Sequence, residues 1–96
     1  MLVKLTEVCN NGAVTTKKLY SLREVFINPE HVVMIREEKR MKELNENGKV
    51  ASGLDGAHRF SKLTINRGQS GTEIIVVGAP EIVENTLKNG KKLLRG

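Results

Sequence analysis

Tryptophan is absent from this 96-residue chain, and Tyr20, Phe26 and Phe60 are its entire aromatic content. With so few rings, the core has to be built from Val, Ile and Leu, and it will be thin. A domain of this size buries only about 60–65% of its unfolded surface, so self-association is an expected source of stability. One cysteine, Cys9, excludes an internal disulfide, and with only His31 and His58 beside it no zinc-ligand spacing exists. Two prolines, nine glycines and no biased tract argue against a fibrous or wholly disordered chain. The apolar runs are short, where a helix crossing a bilayer needs about 20 residues, and Lys4 interrupts any signal-peptide pattern. These absences lead to the expectation of one soluble, cytoplasmic domain with no metal, no cofactor and no membrane partner.

What is present first is positive charge. Sixteen Lys and Arg against eleven Asp and Glu give +5, which favours a polyanionic partner or simply solubility. Lys88, Lys91, Lys92 and Arg95 concentrate near the C-terminus, and Lys17, Lys18 and Arg23 form a second group. Between residues 36 and 49, Arg36, Lys39, Arg40, Lys42 and Lys49 face Glu37, Glu38, Glu43 and Glu46, so this stretch nearly cancels and reads as a solvated loop or ribbon tip.

Period-two alternation dominates the rest. It predicts strands over about residues 2–8, 15–27, 32–38, 58–66 and 72–77, joined by turns at Asn10-Asn11-Gly12, Asn28-Pro29-Glu30 and Arg67-Gly68-Gln69-Ser70-Gly71. Val32 to Ile35 is apolar on both faces, as expected where one side meets a core and the other a second sheet or subunit. Ile74 to Val77 is apolar at every position and should be the most buried strand. Residues 39–57 read as a long connection, although Lys39 to Leu44 could extend the strand or form a helical turn. Pro80 at a first turn, with Glu81 and Glu84 following, starts a helix over about 80–94 with Ile82, Val83 and Leu87 as its apolar stripe. Asn89-Gly90 is a plausible stop or interruption in it. The fold expected is mainly β: a five-stranded, strongly bent antiparallel sheet or small open barrel, with a C-terminal helix over one mouth.

Catalysis has little support. Glu37 and Glu38 are adjacent and point to opposite faces of a strand, Asp55 and His58 have no accompanying nucleophile pattern, and Ser70 lacks a nucleophile elbow. Neither glycine-rich stretch ends in the Lys-Ser/Thr of a phosphate loop. A non-enzymatic protein is expected.

The run Leu63-Thr64-Ile65-Asn66-Arg67-Gly68 followed by Ile74-Ile75-Val76-Val77 resembles the second signature of Sm-like (LSm) proteins, an apolar strand, an Arg-Gly turn and a final apolar strand. Phe26 to Ile35 occupies the place of the first signature, and the similarity covers about residues 15–77. More narrowly, the chain resembles small Sm-like proteins of marine metagenomic, cyanophage origin. The resemblance implies a bent five-stranded sheet, cyclic homo-oligomers, and single-stranded RNA bound around a central opening, with Asn28, His31, Arg67 and Gly68 near it. The chain departs from the family in having a strand where an N-terminal helix is usual, Val32 at a position usually polar, and extra residues between Arg67-Gly68 and the last strand.

Each candidate also has a physical case and a plainer alternative. Arg67 beside Gly68 can present a guanidinium and backbone N–H groups to a phosphate, or be a solvated turn residue beside a glycine with positive φ. Asn28 is a ligand donor or an Asx-type turn residue, and His31 a stacking ring or an idle surface histidine. Tyr20 and Phe60 are stacking rings or core. Lys91 and Lys92 either track a phosphate backbone or complement the negative end of the helix. Two functions remain open: an RNA-binding cyclic homo-oligomer, or a protein-interaction module, such as a phage accessory factor, docking a host or phage protein.

Overall fold

The computed structural model describes residues 2–10, 20–48, 57–68 and 70–95. Asn11-Gly12, Lys17, Lys18 and the connection over 49–56, with Asp55, lie outside the described residues. The chain is mainly β. Strands β1 (Val3–Asn10), β2 (Tyr20–Ile27), β3 (Val32–Glu37), β4 (Phe60–Arg67) and β5 (Ser70–Val77) form one antiparallel sheet in the order β2-β1-β5-β4-β3. Helices α1 (Lys39–Glu46) and α2 (Pro80–Arg95) follow β3 and β5.

The sheet consists of two blocks with a narrow seam. β1 pairs with β2 from Val3↔Ile27 to Asn10↔Tyr20, and β4 with β5 from Phe60↔Val77 to Arg67↔Ser70. By contrast β1 and β5 meet only at Glu7↔Val76 and Val8↔Ile75. Leu5 and Val8 are both buried but three residues apart, so they face opposite sides of the sheet. One face buries Val3, Leu5, Ile27, Leu63 and Val76 beneath Val83 and Leu87 of α2. The other buries Val8 and Phe60 beneath Met41 of α1, with Ile75 and Val77 packed alongside. Ile74 to Val77 has packing on both faces but is not the most buried strand, since only Val76 of the four is buried whereas β1 buries Val3, Leu5 and Val8. Burial of a side chain such as Met41, Phe60 or Leu87 stabilises by about 1.5–3 kcal/mol each, and this docks the helices.

Four further expectations need correction. Lys39–Glu46 is a helix rather than part of a loop. Its N-cap Glu38 accepts a hydrogen bond from the Arg40 N–H (3.1 Å), Met41, Leu44 and Asn45 share its inner face, and Gly48 ends it at φ 73°. The apolar stripe of α2 is Val83 and Leu87 without Ile82, which lies a hundred degrees around the helix from Val83 and is exposed. Nor does Asn89-Gly90 interrupt this helix, which continues to Arg95. The connection between the last two strands is also shorter than the glycines suggest, because Arg67 already pairs with Ser70.

The sheet is not closed into a barrel, and strand direction supplies the reason. With every neighbour antiparallel, β2 and β3 run the same way, so closing the sheet would require them side by side and parallel. A parallel pair needs a crossover of about a dozen residues or more, whereas only the turn Asn28 to His31 joins them. Pro29–His31 forms a single 3₁₀ turn that carries the chain from one edge of the sheet to the other. Both β2 and β3 therefore remain edge strands.

Candidate nucleic-acid interface

The turn between the two edges is built by Asn28. Its Oδ1 accepts from the Glu30 N–H (3.0 Å), its carbonyl accepts from the His31 N–H (3.0 Å), and Pro29 supplies the fixed φ of the first turn. Asn28 thus does the work of an Asx turn. Its side-chain NH2 takes part in no hydrogen bond among the described residues. His31, at the end of the turn, is half-buried.

These two residues line one cleft of about 380 Å³, together with Leu2, Phe26, Ile65 and Ile74. That volume sits at the small end of the range for ligand sites. The cleft offers an apolar floor, one ring, an amide and an imidazole, which suits a flat heteroaromatic group that stacks on one surface and makes polar contacts at its edge. Of the three aromatic residues, Phe60 is fully buried and Tyr20 is packed against the second core cluster, so both are core. Phe26 is the ring left to solvent, 57% exposed. The sequence held a faint signal for it: Phe26 is out of phase with Val25 and Ile27, whose face is the buried one.

The remaining candidates come to the same end of the sheet. Ile65 pairs with Val32 directly after the Asn28 to His31 turn, and Arg67-Gly68 lies two residues beyond Ile65. Gly68 has φ 70°, so the tight turn there requires the left-handed region that glycine adopts without strain. The course of α2 follows from its neighbours: Pro80 and Glu81 lie by Ile35, whereas Leu87 and Lys88 lie by Pro29 and Val32. α2 therefore runs antiparallel to β3, and the backbone of Lys91 and Lys92 continues past Lys88 toward the Asn28 turn. The side chains of Arg67, Lys91, Lys92 and Arg95 lie outside the described residues.

Most charges elsewhere are matched. The Arg59 guanidinium forms a two-pronged pair with Glu37 (2.9 and 3.0 Å) and reaches Glu81 at 3.6 Å, tying β3, the start of β4 and the first turn of α2 together. The hydrogen bonds from Arg59 hold the Glu37 carboxyl below its ordinary range. Glu38 contacts Lys62 at 3.3 Å, so the adjacent glutamates answer to different cations. The Glu84 to Lys88 pair legible at i, i+4 is formed at 3.9 Å. Burial and the neighbouring Glu7 carboxylate push the Cys9 thiol up, which favours the protonated, unreactive form. No group of three His, Cys, Asp or Glu side chains able to hold a metal comes together among the described residues, and no helix among them is long and apolar enough to cross a membrane.

No protein-family model, curated protein or solved structure matches this chain.

Proposed function

We propose that this chain is a non-enzymatic, Sm-like RNA-binding protein that works as a cyclic homo-oligomer, in the cytoplasm of a bacterial host if it is phage-encoded. The observation that carries the reading is the pair of unlike edges left by an unclosed sheet, β2 and β3, at the end where the Phe26, Asn28 and His31 cleft opens. An edge strand presents unpaired N–H and C=O groups, and a chain with two complementary edges can satisfy them with neighbouring copies in head-to-tail fashion. Val33 and Met34 on β3 are exposed apolar residues of the kind a neighbouring copy would cover. Pairing along an edge uses main-chain groups and leaves the side chains on the faces free for a ligand. The net charge of +5 supplies the electrostatic attraction that single-stranded RNA requires, and stacking on Phe26 the base contact.

The rival reading, a protein-interaction module for a phage or host partner, draws on the groove of about 370 Å³ between β3 and α2, lined by Pro29, Val33, Met34, Leu87 and Lys88. One measurement separates them: light scattering of the purified protein with and without nuclease treatment. The proposal expects a defined multiple of the chain mass in both samples, with absorbance at 260 nm lost on digestion. A monomer at micromolar concentration with no co-purifying nucleic acid would refute it.

A further inference from the structure

On paper the segment from Arg36 to Glu46 nearly balances, Arg36, Lys39, Arg40 and Lys42 against Glu37, Glu38, Glu43 and Glu46. The fold removes that balance. Glu37 is held by both prongs of Arg59, and Glu38 divides its carboxylate between the cap of α1 and Lys62. Arg59 lies just before β4 and Lys62 within it, so both matching cations come from outside the segment. Arg36, Lys39 and Arg40 are exposed and Lys42 half-buried, and none of the four lies within ion-pair range of a carboxylate among the described residues. Arg36 instead donates to the Met34 sulfur at 3.1 Å. Glu43 and Glu46 lie one turn on from Lys39 and Lys42 on the same outward face of α1 but form no ion pair with them, and Lys39 and Lys42 act through space on the Glu37 carboxylate.

Cations in the first turn of a helix oppose its dipole, and α1 has no acidic residue there. The corner where β3 passes into α1 therefore carries a ridge of four cations with no carboxylate in direct ion-pair contact among the described residues. It lies at the far end of β3 from the Asn28 to His31 turn, a strand of six residues or about 20 Å away.

We propose that Arg36, Lys39, Arg40 and Lys42 form a second contact surface for the phosphate backbone of single-stranded RNA, separate from the cleft at Phe26, Asn28 and His31. The inference rests on the RNA-binding reading and extends it: the cleft takes a base, and the ridge takes phosphates of the same or a second strand without regard to sequence.

The test is fluorescence anisotropy of labelled oligo-U against salt concentration for the natural chain, the double variant K39E/R40E and the cleft variant Phe26→Ala. Loss of two phosphate contacts should lower the slope of log affinity against log salt by about 1.4, at roughly 0.7 per contact for single strands. Phe26→Ala should weaken binding and leave the slope as it was. Because K39E/R40E places new carboxylates beside Glu37, Glu38 and Glu43, the neutral variant K39Q/R40Q is measured with it and should show the same fall in slope, circular dichroism checking that both variants fold. A folded K39E/R40E with unchanged slope, beside a weakened Phe26→Ala, overturns the ridge and leaves the cleft standing. An altered slope in K39E/R40E with no effect of Phe26→Ala supports the ridge and removes the cleft. Absence of salt-dependent binding by the natural chain overturns both. If K39E/R40E loses binding to polyglutamate but keeps its RNA slope, the ridge serves an acidic protein and the proposal is wrong.

Discussion

Single residues at the two ends of the sheet serve different purposes. Phe26 is exposed on an edge strand, so its ring contributes little to the core, and Phe26→Ala should leave the thermal midpoint nearly unchanged. A stacked base is worth about 1–3 kcal/mol, so the same variant should bind oligo-U at least about fivefold more weakly in an anisotropy titration. Gly78 is the opposite case. Its φ of 126° is outside the range of other residues, a Cβ would sit 3.2 Å from Val83 Cγ2, and both its polar groups are engaged. Its N–H donates to the Arg59 carbonyl (2.7 Å), and its carbonyl accepts from Ser61 Oγ (2.7 Å). With no room to relax, Gly78→Ala should cost about 1–3 kcal/mol, read as a lower urea midpoint. Beyond the phase of Phe26 against Val25 and Ile27, the sequence did not mark either residue, because exposure and φ depend on what the rest of the chain packs around them.

Among the elements, the strands were legible and the short helix was not. Alternation is a local property, and β1, β3, β4 and β5 lie close to the segments it marks. In α1 the apolar residues are only Met41 and Leu44, and the dense charge around them obscured a spacing that also carried a stop signal at Asn47-Gly48. Arg59 is the connection between elements that local sequence does not disclose, since it reaches Glu37 on β3 and Glu81 on α2. Because Glu37 is held below its ordinary range when folded, it contributes stability at pH values above its unfolded pKa, and that contribution is lost as the pH falls through the lowered folded value. Thermal melts followed into the acid range should show Glu37→Gln less stable than the natural chain near neutrality and less sensitive to acid. Superimposable acid profiles would show that the pair adds nothing.

The radius of gyration of the whole molecule is 14.0 Å, close to the about 13 Å of a compact chain of about 100 residues. The β1 to β5 seam is short, and two edges are left over. On the proposed assembly, a charge at Val33, 60% exposed on the β3 edge, has to be desolvated only if a neighbouring copy covers it. Val33→Glu should therefore reduce the mass measured by light scattering toward that of a monomer while far-ultraviolet circular dichroism is retained. An unchanged mass would place the contact elsewhere.

The residue pattern was sufficient for the mainly-β class, the approximate strand positions, the C-terminal helix and the Asn28 and Gly68 turns, because each depends on alternation, capping or turn chemistry within a few neighbours. It could not disclose that β2 and β3 remain apart, that the core has two sides, that Phe26 rather than Tyr20 or Phe60 reaches solvent, or that Glu37 and Glu38 draw their counter-charges from Arg59 and Lys62. Those features depend on strand direction and on contacts between residues distant in the chain. Such relationships arise only when the whole polypeptide is packed.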